Sequence, residues 1–173
     1  MSDPRGLLTR YCRQGDNGAF TRFYQQQADR LWRFLRARGC NEQGAYDLLS
    51  ESFIRFIQII CKDPRSPVAL LYRIAVNLHI DNYRRESAAR FIESGYDADA
   101  FPGADSIPDS EHGFVRSLIK TLPGDEQNLL LMRYWIGLTH KEIAGILDMP
   151  EGTIRRQCAA ALKKIKQRWL EQG

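Results

Sequence analysis

Apolar residues recur along this chain at intervals of three and four, which is the spacing of helices that each bury one face. From Ala19 to Arg38 the pattern runs through Phe20, Phe23, Tyr24, Leu31, Phe34 and Leu35, and Gly39 offers a stop. From Ala45 it continues with Leu48, Leu49, Phe53, Phe56, Ile57 and Ile60. Pro64 and Pro67 interrupt it, because a helix interior tolerates neither the missing N–H nor the ring. A further helix is predicted from about Val68 to Arg90, and helical spacing resumes at Phe114. It pauses at Leu122-Pro123-Gly124, then passes through Leu129, Leu130, Arg133 and Tyr134 to two last helices, around Thr139 to Leu147 and Glu151 to Leu170. No polar–apolar alternation is long enough for a sheet. The reading is therefore all-α.

Between residues 93 and 113 the pattern lapses. This stretch carries Glu93, Asp97, Asp99, Asp105, Asp109 and Glu111 with Pro102, Pro108, Gly95 and Gly103, and no lysine or arginine. It reads as an acidic, flexible linker. The expected organisation is two small helical domains, 1–92 and 114–173, joined by 93–113. A length of 173 residues and a hydrophobic share of 43% suffice for two such cores.

The net charge of +4 points only weakly to a polyanionic partner. Cys12, Cys40, Cys61 and Cys158 form no C-x-x-C pair, and His79, His112 and His140 lie at no ligand spacing from them. Reduced thiols are expected, with neither a metal site nor a disulfide framework. The N-terminus lacks the apolar run of a signal peptide, and no stretch approaches the roughly 18 to 20 apolar residues of a membrane span. A soluble cytoplasmic protein without an intrinsic membrane segment is expected. No phosphate-binding glycine loop, H-E-x-x-H or G-x-S-x-G occurs, so no enzyme activity and no cofactor are expected.

The strongest local signal runs from Leu138 to Arg156. Thr139 and Glu142 form a T-x-x-E capping box, and Ile143, Ala144, Ile146 and Leu147 supply a buried face. Asp148-Met149-Pro150 makes the turn, and the last helix buries Ile154, Cys158, Ala161, Leu162, Ile165 and Trp169. Two short helices across a tight turn, the second with a basic outer face, form a helix-turn-helix pattern. That face presents Arg155, Arg156, Ala159 and Lys163. Arginines near the start of such a helix can reach guanine O6 and N7, whereas Lys163, Lys164, Lys166 and Arg168 suit phosphates. A solvated cationic face is the plainer alternative.

A second signal lies between Ala69 and Arg85. On a helix Arg73, Asn77, Asp81, Arg84 and Arg85 share one side, opposite Leu70, Leu71, Ile74, Ala75 and Leu78. Asparagine brings both donor and acceptor, and arginine a planar donor fork, a combination that suits exposed bases and phosphates. Asp81 would repel phosphate and more naturally orients an arginine. An ordinary amphipathic helix is the alternative here.

In their order these segments resemble the extracytoplasmic-function (ECF, group IV) sigma factors of the sigma-70 family. Gly15-Asp16-x-x-Ala19-Phe20 is similar to that family's N-terminal signature, and Asp47-Leu48-x-x-x-x-Phe53 to its core-polymerase-binding helix. Ile74-Ala75-x-Asn77-x-x-x-Asp81-x-x-Arg84-Arg85 resembles the segment that meets the −10 element. Leu122-Pro123, Gly137-Leu138-Thr139-x-x-Glu142-Ile143-Ala144-x-x-Leu147 and Gly152-Thr153-Ile154 resemble the C-terminal domain. The chain departs from the pattern at Tyr46 and Ser50, where the family often has Glu and Gln, and at Leu70, often Trp. It departs again at Pro150, often a Ser cap, and at Ala160-Ala161, often Arg-Ala, which implies an altered −35 preference or fewer phosphate contacts.

The resemblance implies a factor that directs RNA polymerase to promoters, in a stress or envelope response. Asp47, Leu48, Glu51, Phe53 and Phe56 would bind the clamp helices of the polymerase largest subunit. Lys62, Arg65, Arg73, Asn77, Arg84 and Arg85 would open and hold the −10 element, with the loop from Cys61 to Ser66 capturing an unstacked base. His140, Lys141, Thr153, Arg155, Arg156, Ala159 and Lys163 would read the −35 element as duplex. Implied partners are core polymerase, including its flap, promoter DNA, and an anti-sigma factor, often membrane-anchored. The linker would thread toward the polymerase active centre. An ordinary helix-turn-helix regulator shares the C-terminal motif but leaves Asn77 to Arg85 unexplained, and a helical scaffold explains neither.

Overall fold

A computed structural model describes residues 3–94 and 113–172. Every regular element among them is helical, and none of the helices is long and apolar enough to cross a membrane. The acidic stretch that the sequence marks as a linker lies almost wholly outside the described residues. Two compact units separate, the first built mainly on α1 to α4 and the second on α5 to α8.

Helix α1 (Pro4–Gln14) was not foreseen from the apolar spacing. Its boundaries are nonetheless chemically marked. The Asp3 carboxylate accepts the Gly6 N–H at 3.1 Å, Pro4 opens the helix, and Gly15 closes it in the left-handed region at φ 67°. Helix α2 (Asn17–Ala37) starts under Asp16, whose Oδ1 accepts the Ala19 N–H at 3.1 Å. Asn41 caps α3 (Glu42–Ile59) through the Gly44 N–H at 2.7 Å. One 3-10 turn, Ile60–Lys62, follows, and buried Pro67 begins α4 (Pro67–Ser94).

The first core is aromatic. Phe23 stacks on Phe56 with ring centroids 5.2 Å apart, and Phe34 meets Tyr72 edge-on at 5.2 Å. Leu7, Leu8, Leu31, Leu35, Ile60 and Leu71 close around them, all fully buried. Tyr24 and Ile57 sit at apolar-periodic positions yet are 41% and 42% exposed. The rows they belong to are wider than the face their helices bury.

The sequence reading of four reduced thiols is corrected here. Cys12 on α1 is disulfide-linked to Cys61 in the 3-10 turn, with Cα atoms 5.3 Å apart across 49 residues of sequence. Cys40 and Cys158 carry no disulfide. The pairing escaped the sequence because it depends on α1, which brings a distant cysteine against the end of α3.

In the second unit α5 (Gly113–Lys120) and α6 (Gly124–Leu130) run into a wide, π-type turn, Leu131–Ile136, which Gly137 ends at φ 86°. Helices α7 (His140–Leu147) and α8 (Glu151–Gln172) complete it. Leu118, Met132, Leu138, Ile143, Ile154 and Ala161 are buried, and the Gln127 amide donates to the Leu122 carbonyl at 2.7 Å inside this core. Helix α8 buries Ile154, Cys158 and Ala161 and half-buries Ile165, but Leu162 and Trp169, expected inside, are 40% and 50% exposed. The helix is longer than the short helices it packs on, so its apolar row outlasts the core.

Candidate nucleic-acid interface

The geometry of α7, the turn and α8 follows from local chemistry. Thr139 Oγ1 accepts the Glu142 N–H, and Glu142 Oε1 accepts the Thr139 N–H, both at 3.1 Å. This reciprocal pair satisfies two helix-end donors. Asp148 turns the chain at φ 53°, with the Met149 N–H on the Ala144 carbonyl at 3.0 Å. Pro150 supplies no side-chain cap, but its carbonyl accepts the N–H groups of Thr153 at 3.0 Å and Ile154 at 3.2 Å.

Helix α8 then presents Arg155, Arg156, Ala159 and Lys163 to solvent, as expected, beside exposed Lys141. His140 and Thr153 are half-buried. The Arg155 guanidinium donates to Glu151 Oε1 at 2.7 Å, and Arg156 to Thr153 Oγ1 at 3.3 Å. Arg155, with smaller contributions from Lys141 and His140, holds the Glu151 carboxyl below its ordinary range. Glu151, unnoticed in the sequence, therefore braces the first arginine of the face.

Two of the cations expected to suit phosphates also make contacts within the unit. Lys164 donates to Glu126 Oε1 at 2.6 Å, and Arg168 to Thr121 Oγ1. Both hold α8 against the segment around α6, a tertiary pairing that helical spacing cannot reveal.

In the first unit α4 keeps Arg73, Asn77, Asp81, Arg84 and Arg85 exposed, while Leu71, Tyr72, Ala75, Val76, Leu78 and His79 are buried. Leu70 and Ile74, expected inside, are half-buried. Lys62 and Arg65 are exposed on the connection before α4. Arg65 grips Asp63 through two guanidinium bonds of 2.8 and 2.9 Å and donates its backbone N–H to the same carboxylate at 3.2 Å. These hydrogen bonds lower the Asp63 pKa to about 2. The arginine is thus pre-positioned by a neighbour two residues away.

On α3, Asp47 and Glu51 face solvent. Leu48, Phe53 and Phe56, also expected on the polymerase-facing side, are corrected: they are 4%, 4% and 0% exposed. Phe53 and Phe56 pack on Phe23, so they support the helix from beneath. The apolar residues on its outer side are Tyr46, Ile54 and Ile57, at 50%, 59% and 42% exposure. Tyr46 leans on Trp32 with ring centroids 5.4 Å apart. Among the described residues no group of three His, Cys, Asp or Glu side chains is arranged to hold a metal ion.

Residues 23–89 match the family profile described as Sigma-70 region 2, and residues 115–165 match Sigma-70, region 4. The chain is 29% identical over 149 residues to the ECF RNA polymerase sigma factor SigE of Mycolicibacterium smegmatis, covering 82% of this chain and 58% of that protein. It is 27% identical over 158 residues to SigW of Bacillus subtilis, also an ECF RNA polymerase sigma factor, covering 83% and 84%. The chain thus spans less than two thirds of the length of SigE, and likewise only 59% of BldN of Streptomyces coelicolor. In fold it is similar to the sigma factor RpoE solved with the anti-sigma factor NepR from Bartonella quintana (TM-score 0.66, 15% identity, 86% and 94% covered). It is also similar to CnrH in complex with the cytosolic domain of CnrY (TM-score 0.64, 20% identity, 98% and 99% covered).

Proposed function

We propose that this chain, which belongs to the sigma-70 family, directs core RNA polymerase to specific promoters as a group IV ECF sigma factor of a stress or envelope response. One observation carries the reading. Each helical unit exposes an arginine-bearing face on a helix whose other side is core, and region 2 and region 4 of the family fall on those two units in order.

In this reading residues 1–92 bind the polymerase clamp helices and the −10 element, 93–113 form the acidic linker, and 114–173 bind the −35 element. Asp47 and Glu51 meet the polymerase with Tyr46, Ile54 and Ile57, while Leu48, Phe53 and Phe56 keep α3 in place. Arg73, Asn77, Arg84 and Arg85 hold the opened −10 strand, with Lys62 and Arg65 at its edge. Arg155 and Arg156 read −35 bases, and His140, Lys141, Thr153, Ala159 and Lys163 contribute contacts around them. The flap of the polymerase is a further partner. An anti-sigma factor that covers these faces accounts for regulation; of the two structural relatives, RpoE was solved with the anti-sigma factor NepR and CnrH with the cytosolic domain of CnrY.

The chain performs no bond chemistry in this scheme and acts in the cytoplasm, where the polymerase is. Its work is differential binding. Extruding a base costs a few kcal/mol. Stacking it on an aromatic or guanidinium plane returns roughly 1 to 3 kcal/mol. Contacts available only on opened DNA thus favour the open complex.

Run-off transcription with purified core polymerase on a genomic library tests this. Discrete start sites that require the chain, and loss of them in Arg155→Ala and Arg156→Ala with the fold retained, are expected. A chain that neither co-purifies with core polymerase nor changes where it starts RNA is no sigma factor.

A further inference from the structure

We propose that Cys12 and Cys61 are a reversible thiol–disulfide site that sets the capacity of the chain to open the −10 element, with a low-molecular-weight disulfide as its oxidant. The inference rests on the sigma-factor reading and adds a regulation to it.

Three observations support it. The pair has the backbone geometry for the bond, with Cα atoms 5.3 Å apart. Its two residues differ in access, since Cys61 is exposed and Cys12 half-buried. The more exposed residue is the one that a small disulfide meets first, and its half-buried neighbour resolves it. Thirdly, Cys61 stands at the entrance of the connection that leads to the α4 face. Ile60 beside it is fully buried, the Asp63 N–H returns to the Ile60 carbonyl at 3.2 Å, and Pro67 is buried at the far end.

Compartment decides between a fixed staple and a switch. Proteins of a reducing cytoplasm rarely keep structural disulfides, and those that form there are mostly transient and redox-sensing. A chain that works beside RNA polymerase is in that compartment.

The Cys61 thiolate attacks one sulfur of an RS–SR molecule, so that a Cys61–SR bond forms, RS–SR breaks and RS⁻ leaves. The Cys12 thiolate then attacks Cys61 Sγ, forming Cys12–Cys61 and expelling the second RS⁻. Two electrons pass from the protein thiols to the oxidant, and their two protons end on two RSH molecules. The same steps reversed restore the dithiol.

The linked form is the competent one. The bond ties the start of the connection to α1, while its other end is fixed by Pro67. Lys62, Arg65 and the backbone between them are then held in place before a base arrives, and less ordering remains to be done on capture. Without the bond that ordering falls on the open complex.

The test uses holoenzyme assembled from core polymerase and the full chain, equilibrated in glutathione buffers of varied ratio and in dithiothreitol. Thiol alkylation with mass readout follows the bond. Permanganate reactivity of −10 thymines follows opening, and protection of −35 duplex follows closed binding, on a promoter from the run-off screen. Expected is opening that falls roughly 3- to 10-fold as the pair is reduced, the scale of ordering one or two side chains, with −35 protection unchanged. The double variant Cys12→Ser/Cys61→Ser should open at the reduced level in every buffer. Wild type opening equally in both states, a pair that stays reduced in oxidised glutathione, or equal loss of −35 protection would each overturn the switch. The wild-type comparison needs no substitution, so a poorly folding variant leaves it decisive. Holoenzyme that starts no RNA in either state removes the sigma-factor reading itself, and the switch with it.

Discussion

At the scale of single residues, the chain separates side chains that hold the fold from those free to meet a partner. Tyr72 is fully buried, its ring packed on Phe34, yet its hydroxyl has no hydrogen-bond partner among the described residues. Burial also pushes that phenol upward in pKa. Tyr72→Phe keeps the ring and removes the orphan, so it should raise stability by about 1 kcal/mol. Urea unfolding measures this, and a loss of stability would mean the hydroxyl is satisfied after all. Arg155 is different: it is solvent-facing and braced by Glu151 at 2.7 Å. Arg155→Ala should leave the melting temperature within experimental scatter while costing roughly 1 to 3 kcal/mol of discrimination at one −35 base pair. Competition binding of holoenzyme to single-base promoter variants reads it. Asp63 gives a pH expectation. Its pKa is lowered from 3.8 to about 2 by hydrogen bonds from Arg65. A depressed carboxyl favours the paired state fully above its unfolded value, and the benefit is lost as pH falls through the folded one. The Arg65–Asp63 pair should therefore persist through neutral and mildly acidic pH and open only toward about pH 2. A carboxyl-carbon NMR titration with an ordinary aspartate midpoint would contradict this.

At the scale of elements, what could be read in the sequence depended on how local its cause was. The α7 capping box was legible because both partners lie within one turn: Thr139 and Glu142 exchange the bonds that their spacing implies. Thr139→Ala should cost about 1 kcal/mol and weaken −35 binding through a frayed α7. Thermal melts paired with footprinting would show both effects, and an unchanged melt would deny the cap its role. Helix α1 was missed because its buried apolar pair, Leu7 and Leu8, is too short to establish a period. What marks it is cap chemistry, Asp3 before Pro4 and Gly15 after Gln14, a signal present in the sequence but weak without a periodic run between. Helix α3 shows the opposite failure. Its apolar residues cover more than one face, so spacing alone could not tell Phe53 and Phe56, which are core, from Ile54 and Ile57, which are surface. Only packing against α2 and α4 decides. The contacts of Lys164 with Glu126 and of Arg168 with Thr121 were illegible for the same reason, since the partners are far away in sequence.

For the whole molecule, charge distribution matters more than its total. The net charge is only +4, yet 93–113 contributes six carboxylates and no lysine or arginine. The two units together are therefore markedly more basic than the complete chain. Six carboxylates with no cation among them lower the mean potential that an approaching polyanion meets. This effect works at long range and is non-specific, and salt screens it over a Debye length of about 10 Å at 0.1 M. Base contacts of the kind proposed for Arg155 would act at hydrogen-bond range and be screened far less. Replacing Asp97, Asp99, Asp105 and Asp109 with Asn should therefore tighten binding of the free chain to random duplex at low salt. The gain should shrink toward zero near 1 M, where the Debye length is about 3 Å. With −35 readout in α8, as proposed, promoter preference within the holoenzyme should not broaden at that element. Filter binding across a salt series, beside run-off transcription on the same templates, separates these effects. Equal affinity of both chains for random DNA at low salt would mean the carboxylates do not shield the basic faces.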